Sequence, residues 1–256
     1  MRSFLIFLSV LCSFLLLLNC KKTESNNTPP PPRVILMEKS PDSAAVETGI
    51  DAEGGIDPNK NGIFVQWHPV DHKDLKAYDV YRRQSNTTGN FQRIAEVLQS
   101  FGSGDTTYLD LDVGLDTVYY YYVIARDENN EGERSATDHY MLQPKPILTS
   151  PINNQSFGIT NVFKWDFGGQ GTQYFIFRLE KRGADTNFAH YFLMLHDVSA
   201  PIGGGNTGGY GPQTWNLSQL GVNTLDPGDY RWRVDVRDFL DDRTGSESDW
   251  GMFQFP

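Results

Sequence analysis

Alternation is the clearest pattern along this chain. Tyr230, Trp232, Val234 and Val236 alternate with Arg231, Arg233, Asp235 and Arg237. A period of two predicts a strand with one buried face. Upstream, Tyr119, Tyr121, Val123 and Ala125 form an inward set that leaves Tyr120, Tyr122 and Ile124 outward. Further strand-like blocks are Ile63–Trp67, Tyr78–Arg82, Asn161–Trp165 and Tyr174–Arg178. Turn-rich stretches separate them at Asp57–Gly62, Asn86–Asn90, Gly102–Asp105 and Gly203–Pro212. No window carries a long helical period. Short strands at this spacing predict an all-β sandwich.

The blocks recur in the same order in both halves. Ile63-Phe64-Val65-Gln66-Trp67 lines up with Asn161-Val162-Phe163-Lys164-Trp165, and Tyr78-Asp79-Val80-Tyr81-Arg82 with Tyr174-Phe175-Ile176-Phe177-Arg178. Tyr119 to Asp127 lines up with Tyr230 to Asp238. The offsets lie between 96 and 111, so the chain reads as two copies of a unit of about 110 residues. Pro144-Lys145-Pro146 is the stiff join. The expected domains are 34–143 and 144–256.

Both halves resemble fibronectin type III domains. The resemblance rests on Trp67 and Trp165 as the core Trp of the second strand, and on Tyr78 and Tyr174 on the third. It rests also on Leu225-Asp226-Pro227-Gly228-Asp229-Tyr230, close to the corner that leads into the sixth strand. Val113 to Tyr119 keeps that spacing without Pro-Gly. A buried Tyr hydroxyl needs a partner, and the corner supplies backbone just upstream. The resemblance implies two immunoglobulin-like sandwiches in tandem and a role in interaction. It implies no reaction.

The first residues follow another logic. Phe4 to Leu18 is an apolar or small run of 15, shorter than the ~20 residues of a spanning helix. It has the length of a signal-peptide core. Leu17-Leu18-Asn19-Cys20, followed by Lys21-Lys22, resembles a bacterial lipoprotein signal. That resemblance implies removal of residues 1–19 and acylation of Cys20, with attachment to a membrane facing the periplasm or cell exterior. A plain secretory signal or an uncleaved anchor would also export the chain. Residues 20–33 form a tether, stiffened by Pro29 to Pro32.

Composition narrows the function classes. The chain has 256 residues, 22 basic and 32 acidic, for a net charge of −10. Phosphate neutralisation needs the opposite sign, so a nucleic-acid partner is not expected. Residues 34–143 carry 9 basic and 19 acidic side chains; residues 144–256 carry 9 and 12. Such a lobe favours solubility and basic partners. Two cysteines give neither a disulfide framework nor a four-cysteine zinc site.

Candidate chemistry is sparse. Asp57, Asn59 and Asn61 followed by Gly62 match the front of a calcium loop, but His68 stands where the bidentate Glu belongs. Gly203 to Gly208 satisfies G-x-G-x-x-G without the strand and helix a dinucleotide needs, and reads as a loop. His68 and His72 stand four apart beside Pro69, where helical geometry is not expected. No nucleophile–base motif is present. The expectation is no catalysis and no cofactor.

Outward aromatics are the better lead. Tyr81, Tyr120 and Tyr122 are expected to share one exposed face. In the second half the matching positions are Phe175 and Phe177, with Arg231 and Arg233 beside them. Three functions fit: a non-catalytic interaction or adhesion module with a protein partner, a structural spacer in an envelope complex, or an accessory polysaccharide-binding lipoprotein.

Overall fold

The computed structural model describes residues 29–41, 44–57, 60–85, 90–99, 105–168, 173–197, 213–219 and 221–256. Every regular element among them is a strand. The first half contains β1 (Asp51–Asp57), β2 (Lys60–Gln66), β3 (Ala77–Gln84), β4 (Gln92–Leu98), β5 (Thr107–Asp110), β6 (Val118–Arg126) and β7 (Asp138–Leu142). The second contains β8 (Ile147–Ser150), β9 (Gln155–Ser156), β10 (Val162–Asp166), β11 (Gln173–Arg182), β12 (Phe188–Asp197), β13 (Gln213–Asn216), β14 (Gly228–Asp238), β15 (Thr244–Glu247) and β16 (Gly251–Phe255).

In the first half the sheet β1-β2-β5 faces the sheet β4-β3-β6-β7. The second half repeats this with β8-β10-β13 against β12-β11-β14. There β14 is long enough to pair with β16 along its first part and with β15 along its last. Each half is thus an immunoglobulin-like sandwich of the kind the resemblance implies.

Alternation builds both cores. Along β6 the inward residues Tyr119, Tyr121, Val123 and Ala125 are buried and their neighbours half-buried. They pack on Trp67, Tyr78 and Val80. The second core is richer in aromatics and gathers Phe163, Trp165, Phe175, Phe177, Trp215, Tyr230 and Trp232. Trp232 stacks on Phe177 at 5.5 Å and meets Phe163 edge-on at 4.9 Å. Both tyrosine corners close. The Tyr230 hydroxyl donates to Asp226 O at 2.7 Å, and the Tyr119 hydroxyl accepts from Gly114 N at 2.9 Å. The corner therefore forms in the first half without Pro-Gly.

The two sandwiches are joined by backbone. β15 pairs in parallel with β7, through Thr244↔Met141 and Gly245↔Leu142. The larger sheets merge into one ten-stranded sheet. A side chain at Gly245 would stand 2.2 Å from Val236 O and 3.0 Å from the Tyr140 hydroxyl, so only glycine fits at this seam. Around it, Arg243 Nε donates to Asp138 at 2.7 Å, and the Ser246 hydroxyl donates to Pro144 O at 2.7 Å.

Candidate functional site

The outward face of β3 and β6 carries a ladder of rings and guanidiniums. Tyr81 and Tyr122 sit opposite each other in the register and stack at 4.7 Å with planes 14° apart. Phe91, just before β4, lies 4.7 Å from Tyr122 on a tilted plane. Arg83 places its guanidinium over Tyr120 at 4.9 Å and over Phe91 at 5.3 Å. Arg134 lies over Tyr122 at 5.7 Å, and the His139 ring is 5.5 Å from Tyr120.

Tyr81, Tyr120 and Tyr122 lie together on this side of the sheet, all three half-buried where an exposed face was expected. Their ring faces lie on neighbouring rings and guanidiniums. Burial raises the Tyr81 and Tyr122 hydroxyls above their ordinary value, and Glu131 nearby pushes the same way. Both stay protonated donors at neutral pH. Sequence reasoning missed Phe91, Arg83, Arg134 and His139. The arginines differ from their neighbours in one respect: among the described residues, neither Arg83 nor Arg134 has a carboxylate within ion-pair reach. Arg82, one residue before Arg83, points the other way and grips Asp110 at 2.8 and 2.9 Å. Two residues along, the strand alternation would return the same face.

In the second sandwich the expected pairing fails. Phe175 and Phe177 are core residues, 1% and 0% exposed. Phe175, not Tyr174, meets Trp165 edge-on, as Tyr78 meets Trp67. The sequence alignment of the two halves is out by one residue here, and in a strand one residue exchanges the faces. Tyr174 instead stacks on Phe239 at 5.0 Å. Arg231 does point outward, but its aromatic partners are Trp250 at 4.1 Å and Phe188 at 4.8 Å, with Glu180 as its counter-ion.

Arg233 is buried in a polar cluster between the sandwiches. Its guanidinium forks onto Glu247 at 2.6 and 2.9 Å and reaches Glu47, from the segment before β1, and Asp235. Arg233 Nε is 2.7 Å from Asp235 Oδ1, yet off the line of a hydrogen bond. Arg178 bridges Asp235, Glu47 and the Ala44 carbonyl. Carboxylate oxygens of Glu47, Asp235 and Glu247 lie within 4.8 Å of one another. Arginine N–H groups already bond to each of the three carboxylates, which makes the cluster an ion-pair network rather than a metal centre. Burial, then the Asp235 charge, lifts the Glu47 carboxyl from 4.5 to about 7, against the pull of Arg233 and Arg178. Burial lifts Glu247 well above the usual carboxylate range.

The partial calcium motif is taken apart by the same junction. The Asn61 side chain is buried and clasps the backbone of Glu247, accepting from its N at 2.8 Å and donating to its O at 2.9 Å. A residue spent this way on the opposite sandwich is no free calcium ligand. Asn59 and the Asp57 side chain lie outside the described residues, as do Cys20, residues 1–19 and Gly203 to Gly208. His72 Nε2, between β2 and β3, meets Asp127, just after β6, at 3.3 Å.

No protein-family model and no curated protein matches the chain. Solved structures similar to it include three with fibronectin type III-like domains. The FN1-FN3 domains of chicken CNTN1 share 10% identity over 89% of this chain and 67% of that chain, at a TM-score of 0.31. A Fn3-like protein from Clostridium thermocellum shares 25% identity over 36% of this chain and 84% of that chain, at 0.27. A two-domain fibronectin type III segment of chicken tenascin shares 10% identity over 80% of this chain and 97% of that chain, at 0.28. Scores this low carry nothing across; the sandwich architecture stands on the strand order of the chain itself.

Proposed function

We propose that this chain is a non-catalytic interaction or adhesion module, exported and held at a bacterial envelope by an acylated Cys20, with sandwiches at 34–143 and 144–256 on a Pro-rich tether. The observation that carries the reading is the outward ladder Tyr81–Tyr122–Phe91 with Arg83 and Arg134 stacked on it. Tyr and Arg are the side chains that dominate binding at protein interfaces. The partner is a protein surface that presents carboxylates or carbonyls to the exposed hydroxyls and guanidinium edges. Stacking of Tyr81 on Tyr122 removes the broad ring faces that a sugar would lie against, which argues against the polysaccharide reading.

A photo-crosslinking residue at Tyr120 in the full chain, expressed in cells, tests this. The expected result is one discrete adduct from position 120. It should be absent when the same probe replaces Leu240, which is 90% exposed in the second half, and lost when Arg83→Ala is added. Without an adduct at 120 the face is idle. A second reading then takes over: a structural spacer, favoured by the continuous ten-stranded sheet. Incorporation of labelled fatty acid, abolished by Cys20→Ala, tests the anchor separately.

A further inference from the structure

The junction cluster holds more negative than positive charge. Glu47, Asp235 and Glu247 oppose Arg178 and Arg233. Among the described residues, the charged groups nearest the cluster are themselves paired or acidic. On β1, Asp51 is matched by Lys39 at 2.6 Å and by the Tyr140 hydroxyl of β7 at 2.8 Å. Glu53, also on β1, adds a further carboxylate that burial raises above its ordinary value. At the rim Asp249 is matched by Lys145 at 2.6 Å. A buried charge without compensation is costly, and a carboxylate in that position takes up a proton instead.

We propose that this cluster is a proton-dependent latch between the two sandwiches, closed while Glu47 or Glu247 holds a proton and loosened when it leaves. The geometry suits a latch because the groups come from separate halves. Glu47 belongs to the segment before β1, while Arg178, Arg233, Asp235 and Glu247 belong to β11, β14 and β15. Parting the sandwiches would return Glu47 to water and to its ordinary value of 4.5, whereas docked it stands at about 7. A carboxyl raised by docking binds its proton more tightly in the docked form. The Glu47 contribution to docking is therefore full below pH 4.5 and is lost as pH rises through about 7. Glu247 acts in the same direction.

Hydrogen exchange on the purified full chain reads this directly. The amides of Met141 and Gln143 donate across the junction, to Arg243 O and Gly245 O. After correction for intrinsic rates, their protection relative to β3 amides facing β6 should fall roughly a hundredfold between about pH 5 and pH 9. Glu47→Gln keeps the shape without the titration, and should flatten most of that fall. A flat profile in the unaltered chain overturns the latch. So does a fall that persists undiminished when Glu47→Gln and Glu247→Gln are combined. Should the double variant fail to fold, the single Glu47→Gln profile decides.

Discussion

β6 and β14 hold the same place in their two sandwiches, yet their outward faces meet opposite fates. On β6 the outward residues are Tyr120, Tyr122 and Ile124, which stay half-buried at the surface. On β14 they include Arg233 and Asp235, which are buried beneath the first sandwich. One strand position thus serves as a free face in one copy and as a seam in the other. What decides is the covering segment. Residues 44–55 of the first half lie against the second and bring Glu47 to Arg178, and the Gly54 amide to Glu247 at 3.1 Å. The two faces also differ in side-chain chemistry: apolar rings with stacked arginines tolerate water, whereas charges are buried only with charged or hydrogen-bonding partners.

The largest expected effect tests whether the copies are energetically separate. Trp232→Ala removes a fully buried ring from the second core, and should cost about 5 kcal/mol. Because the sheet is continuous across β7 and β15, the first sandwich should lose protection as well. Its exchange profile staying unchanged would show that the seam couples nothing.

Arg233→Ala strikes the seam itself. It strands Glu247, Asp235 and Glu47 without a guanidinium that each now touches. Removing one partner of a buried pair costs about 3–4 kcal/mol. Denaturant unfolding should show this loss at neutral pH, and a smaller one in acid, where the raised carboxyls of Glu47 and Glu247 are protonated. An equal loss at both pH values would contradict the charge account of the cluster.

Gly245→Ala separates backbone from charge. The added methyl would meet Val236 O at 2.2 Å, and the strands must part locally at about 1–3 kcal/mol. Protection at Met141 and Gln143 should drop while the Arg178–Asp235 contact, within the second sandwich, persists.

Much of the fold was legible because alternation exposes one face at a time. Tyr119 to Ala125 and Tyr230 to Val236 announce their buried sides by the polar or aromatic residues between them. β11 gave no such mark. Tyr174-Phe175-Ile176-Phe177 is apolar throughout, so its phase is set by what packs against it, and the halves were aligned one residue out. The aromatic face was legible in Tyr81, Tyr120 and Tyr122 alone. Phe91 and Arg134 enter from loops, whose direction no periodicity reveals. The junction cluster was illegible, since Glu47 meets Arg178 across 131 positions and Arg233 across 186. Outward charges on a strand read as solvated until a distant segment is known to cover them.

The smallest effect on stability sharpens the comparison most. Arg83 is half-buried and lies over two rings, at 4.9 and 5.3 Å. Exposed cation–π contacts contribute ~0.5–1 kcal/mol each, and no buried carboxylate depends on this guanidinium. Arg83→Ala should therefore shift the unfolding midpoint by less than about 1 kcal/mol. Arg83→Lys keeps the charge but loses the planar stack and the fork. If the ladder is a contact face, both variants should abolish the adduct at position 120 while leaving the fold intact, the reverse of Arg233→Ala. Were Arg83→Ala to cost as much as Arg233→Ala, this guanidinium would also be structural, and the contrast between free face and seam would collapse.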